Sequence, residues 1–237
     1  MTDLPAGPGL VRGLIQSRYL DRLVGSPRGR AFLLAFMSDA ERSDEAAVFD
    51  TLLARVDDPE LHAMVKLHVA DEELHGEILE ACMKKVGVTP PPVPDHLRFI
   101  FRLDAALDGF AARFVAGEYG VMEAYLLLQV IEERAVVQYP GIQRALAKVD
   151  PEAAKVVGTV IADERRHVRY ARAISKRYAP NADALARTLA HFRRAEAKAF
   201  AEHGQDFLNF AIDRDLLDVR WPERWIWRAI GAAPAHA

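Results

Sequence analysis

Residues 70–75 read ADEELH and residues 162–167 read ADERRH, so Ala, Asp, Glu and His return in the same order 92 positions later. The likeness extends upstream without a gap. Residues 41–75 set against 133–167 give ten identities in 35 positions. Glu41-Arg42 falls on Glu133-Arg134, and Asp58-Pro59-Glu60 falls on Asp150-Pro151-Glu152. Such self-similarity marks a duplicated structural unit. Here the unit is a helical hairpin.

Each copy is helical by its residues. Ala, Leu, Glu and Arg dominate, glycine is rare inside the long segments, and strand alternation is absent. In both copies an Asp-Pro pair stops one helix and starts the next, since Asp caps and Pro suits the first turn. The predicted helices cover 30–56, 59–86, 97–149 and 151–178. The second ends at Gly87, and the third is broken near Gly109 or Gly117 and bent at Pro140-Gly141. A further helix over 182–212 precedes the aromatic tail RWPERWIWRAI. Between the hairpins lies TPPPVPDH, residues 89–96, which can be neither helix nor central strand and reads as a stiff crossover. Two hairpins and one long connection predict an all-α four-helix bundle over 30–178. The N-terminal extension is 1–29, and a C-terminal helical extension, 179–237, packs on the bundle.

Composition narrows the setting. The chain has 237 residues, 51% hydrophobic and 27% charged, as in an ordinary globular domain. A net charge of −3 implies no general field for polyanions. The single cysteine, Cys82, excludes an internal disulfide, a cysteine zinc cluster and a rubredoxin-type iron site. The N-terminus lacks a signal-peptide core, and no apolar run approaches the roughly 20 residues of a membrane span. The expectation is a cytoplasmic protein without membrane contact.

The repeat also aligns chemistry. Residues i and i+3 share a helix face, so Glu72 projects with His75 and Glu164 with His167. Each pair has a glutamate 31 positions upstream, Glu41 in the first copy and Glu133 in the second. An antiparallel hairpin turning at Pro59 or Pro151 sets that glutamate level with its pair, at about 1.5 Å per residue. Glu132 is adjacent on the third helix, although the repeat register favours Glu133. Glu45 is a rival on the first. Four glutamates and two histidines at one depth would repel and lose hydration unless cations compensate them. The set suits two metal ions with bridging carboxylates, and iron or manganese above calcium or structural zinc.

One glutamate from each of two helices with Glu-x-x-His from each of the other two resembles the ferritin-like di-iron carboxylate proteins. The resemblance implies Glu41, Glu72, His75, Glu133, Glu164 and His167 as ligands, with Glu72 and Glu164 bridging. Asp71 and Asp163 narrow it further. Asp-Glu-x-x-His on both helices is similar to the di-iron oxygenase and oxidase branch: soluble methane monooxygenase hydroxylases, ribonucleotide reductase small subunits and acyl carrier protein desaturases. There each aspartate supports the histidine of the opposite helix.

The resemblance implies two iron ions, or a manganese–iron pair, with O2 as co-substrate and oxidation of a small apolar or amphipathic substrate in a pocket of the bundle. Met37, Leu79 and Leu126 lie one or two turns from the ligands and either line such a pocket or belong to the core. No flavin or nicotinamide fingerprint is present, so electrons would come from a separate donor protein. A ferroxidase or rubrerythrin-like role is the alternative. An aldehyde-deformylating oxygenase, which HGEILEACMKKVGV faintly resembles, and a tRNA hydroxylase share the fold. For the latter the basic run Arg165, Arg166, Arg169, Arg172, Lys176 and Arg177 would matter, but it reads as a solvated face rather than an RNA contact. His68 lies on the stripe of His75 as a core histidine or an extra ligand. Tyr170 and Cys82 read as packing. Trp221, Trp225 and Trp227 dock on the bundle or make a homodimer contact.

Overall fold

In the computed structural model, residues 10–43 and 46–232 are described, and all their regular structure is helical. Two capped starts set the frame. Asp58 accepts hydrogen bonds from the backbone N–H groups of Glu60 and Leu61, with Pro59 opening helix α4 (Pro59–Lys85). Asp150 accepts from Ala153 N–H, with Pro151 opening α8 (Pro151–Tyr178). These caps satisfy amides that a helix start leaves without partners.

The predicted first bundle helix is described in two parts, α2 (Pro27–Ser43) and α3 (Ala46–Arg55). Glu45 lies outside the described residues. The predicted third helix is divided into α5 (Phe99–Ala106), α6 (Phe110–Ala116) and α7 (Val121–Leu146). Breaks occur at both candidate glycines. Gly109 and Gly117 take φ of +79° and +85°, a region that costs a residue with a Cβ but not glycine. Pro140 stays inside α7. Residues 1–9 lie outside the description, while α1 (Leu10–Gly25) runs ahead of α2.

α2 packs along α4, and α7 along α8, and the two hairpins meet through α4 and α8. α9 (Ala182–Asp213) lies against α5 and α7, and α10 (Trp221–Ala232) against α9. Trp227 is buried beside Tyr19, at 5.9 Å between ring centres, whereas Trp221 and Trp225 are exposed. No described helix is long and apolar enough to cross a membrane.

The core is in two apolar clusters. One holds Leu34, Met37, Leu79, Cys82, Leu146, Val157 and Val160. The other holds Phe49, Leu52, Leu61, Val65, Leu126, Val130 and Ile174. Each fully buried Leu or Met contributes about 1.5–3 kcal/mol. Every bundle helix passes from one cluster to the other. α2–α3 and α8 run one way, α4 and α7 the reverse, as a twofold axis across the bundle requires. Between the clusters each helix places buried Glu or His residues: Glu41, then His68, Glu72 and His75, then Glu132 and Glu133, then Glu164 and His167.

Candidate metal centre

α4 supplies His68, Glu72 and His75 at i, i+4 and i+7, the spacing that returns to one helix face. α8 supplies Glu164 and His167 at i and i+3. α2 brings Glu41, and α7 brings Glu132. Their donor atoms form two groups that share Glu72. One contains Glu41, Glu72, His75 and Glu164, the other His68, Glu72, Glu132 and His167, with the atoms of each group within 4.8 Å of one another.

The contacts give the two groups a common centre. His75 Nδ1 lies 3.1 Å from Glu41 Oε2 and 3.6 Å from Glu164 Oε1. His167 Nδ1 lies 3.1 Å from Glu132 Oε1 and 3.2 Å from both Glu72 Oε1 and Glu164 Oε2. Glu164 thus turns one oxygen toward each histidine. Glu72 does the same, with its Oε2 3.8 Å from His75 Nδ1. That is the placement a bridging carboxylate needs. Two donors each about 2.1 Å from one ion, at a right angle, stand about 3.0 Å apart, so the observed separations leave room for a cation.

The outer ring nitrogens point away. His75 Nε2–H donates to Asp163 Oδ2 at 3.2 Å, and His167 Nε2–H donates to Asp71 Oδ2 at 3.3 Å. Each aspartate therefore serves the histidine of the opposite helix and leaves Nδ1 facing the carboxylates. Arg166 joins the pair, donating to Asp71 at 2.8 Å and to Asp163 at 2.5 Å. The Tyr139 hydroxyl donates to Glu41 Oε1 at 2.7 Å.

Glu133 is elsewhere, which corrects the register drawn from the repeat. It is fully buried and accepts from Arg172 at 2.6 Å, Arg193 at 3.0 Å and Gln129 at 2.8 Å. The reason lies in the turns. Three residues (56–58) separate α3 from α4, but four (147–150) separate α7 from α8. Equal sequence spacing is then unequal helical phase, and one residue is 100° of rotation. Glu133 also shows how this chain treats a buried carboxylate. It has two guanidinium partners, and buried Glu196 has Arg134 at 2.6 Å. Among the described residues, Glu41, Glu72, Glu132 and Glu164 have no ionic partner but imidazole.

Protons hold this set together when no cation does. Burial, opposed by the His75 hydrogen bond, pushes Glu41 up to about 8. Burial and neighbouring Glu132 hold Glu164 well above the usual carboxylate range. Burial would also raise Glu132, but hydrogen bonds with Glu164, His167 and His68 bring it down to about 2. Glu72 is well below its ordinary value because His167, His68 and His75 outweigh its burial. Burial would depress His75, yet Glu41 and Glu72 push it up to about 10. His167 is raised in the same way by Glu132, Glu164 and Glu72. Glu41 and Glu164 thus hold their protons more firmly than free carboxylates, while Glu72 and Glu132 yield theirs more readily beside the imidazoles. The donor set fits a pair of divalent ions, which would replace those protons.

His68 is the residue the sequence left open. Its Nε2 sits 3.1 Å from Glu72 Oε1 and 3.0 Å from Glu132 Oε1, so it belongs to the cluster. Its place on the 68-72-75 stripe was the available signal. Met37, Leu79 and Leu126 are fully buried but do not share a wall, since the first two lie in one apolar cluster and Leu126 in the other. Two open depressions of about 480 and 300 Å³ flank His96 on the α5–α9 side and include no residue of the cluster. No protein-family model, curated protein or solved structure matches the chain.

Proposed function

We propose that the protein is a non-haem di-iron, or manganese–iron, oxidoreductase that activates O2 to oxidise or hydroxylate a small apolar or amphipathic substrate. One observation carries this reading: among the described residues, four buried glutamates face one another with only imidazole as ionic partner, while the buried glutamates beside them are matched to arginine. A buried carboxylate set of this kind is stable only when cations or protons neutralise it. The Asp-Glu-x-x-His repeat supports the oxygenase and oxidase branch of the ferritin-like proteins over storage proteins.

A reduced metal pair, when bound, supplies the electrons that O2 requires and that these side chains cannot. The residues do the rest. Glu41, Glu72, His75, Glu132, Glu164, His167 and His68 hold the ions. Asp71 and Asp163 retain the outer imidazole protons and fix the ring orientation, and Arg166 fixes the aspartates. The apolar clusters on either side exclude water. A separate protein delivers the electrons.

Anaerobic loading with Fe(II), followed by O2, tests the reading. Two ions should bind per chain, and O2 uptake should quicken with a particular class of apolar substrate. Rapid mineralisation of excess Fe(II) would favour the ferroxidase alternative. Glu164→Ala should abolish two-metal binding, and two ions still bound in that variant would refute the ligand assignment.

A further inference from the structure

The 92-residue repeat makes the two halves of the centre alike, and His68 is where they part. Its counterpart in the second copy is Val160, fully buried in an apolar cluster. One donor group therefore has two imidazoles and two carboxylates, and the other has one imidazole and three carboxylates. The His68 ring is held in place. It meets the Phe49 ring edge-on at 4.6 Å and the Tyr170 ring at 5.4 Å, and its centre is 3.9 Å from that of His167. A second feature lies across the centre, where Glu41 Oε1 already accepts a hydrogen bond from Tyr139. An oxygen that accepts a proton donor gives less to a cation. Imidazole favours cobalt, nickel, copper and zinc, whereas carboxylate favours manganese and magnesium.

We infer that the centre consists of two unequal subsites that fill in order, the His68–His167 subsite taking the first ion when that ion comes late in the first transition row. The inference rests on the two-metal reading above and adds a property that reading does not require.

Calorimetric titration of the metal-free full chain with Co(II) should show two steps of one ion each, the first at least about tenfold tighter. His68→Val, which installs the second copy's residue, should weaken the first step at least about tenfold and bring the two together. Glu41→Gln should weaken the second step alone. A measurement on the unaltered protein removes dependence on how the variants fold. With one equivalent of Cu(II), pulsed electron paramagnetic resonance should detect two coupled imidazoles. Two equal Co(II) steps, or a single coupled imidazole, would overturn the inference and leave two-metal binding intact. Saturation at one ion, or at none, would instead remove the two-metal reading and this inference with it.

Discussion

Glu132 and Glu133 are chain neighbours about 100° apart around α7, and that angle separates two kinds of chemistry. Glu132 faces His68 and His167, while Glu133 faces Arg172 and Arg193. Glu132→Gln should cost at least about tenfold in affinity for one ion. Glu133→Gln should leave the metal count at two and lower stability by about 2–3 kcal/mol. That is below the cost for a fully buried pair, because both guanidiniums are 29% exposed. Metal analysis beside urea denaturation separates the two outcomes. His203 offers a pH test. Burial, with Arg102 nearby, lowers it to about 4, and its ring stacks on Phe36 at 5.6 Å. Its folded value lies below its unfolded value of about 6.5, so the stability it contributes is complete above pH 6.5 and is lost as pH falls toward 4. His203→Phe should flatten the pH dependence of the unfolding free energy, read from urea titrations in that window, by about 3 kcal/mol relative to the parent. Five of the six candidate ligands read from the sequence stand in the cluster, because i, i+3 pairs and the capped turns are local. Glu133 was misplaced because its phase depends on a turn one residue longer, and His68 stayed open because the repeat gives it no counterpart.

At the scale of elements, glycine decides where the third predicted helix is cut. Gly117 has φ +85°, and a Cβ there would meet Arg55 Nη2 at 3.1 Å. Gly117→Ala should cost about 1–2 kcal/mol. Gly204 gives the opposite sign. It lies exposed inside α9, at ordinary φ, with nothing within 4 Å of a Cβ. Gly204→Ala should add about 0.5–1 kcal/mol, read as a rise in melting temperature. The capped starts at Asp58 and Asp150 were visible in the sequence as Asp-Pro pairs. The separation of α5, α6 and α7 was only half visible, since a glycine permits a left-handed turn without requiring one, and packing of α5 against α9 makes the choice.

For the whole molecule, the order of two hairpins around a proline-rich crossover followed from residues alone. The seat of α9 did not, because the part-buried pair Arg134–Glu196 that ties it to α7 spans 62 positions. The layer of buried glutamates and histidines lies between the two apolar clusters, so a metal bound there should act on the bundle as a unit. An ion supplied at 100 times its dissociation constant should add about 2.7 kcal/mol, and a chelator should remove it, both measured by urea denaturation. Arg166, 42% exposed, is two side chains away from the inner nitrogens of both histidines, through Asp71 and Asp163. The interior of the bundle is therefore joined, through imidazole and then carboxylate, to one guanidinium at the protein–water boundary.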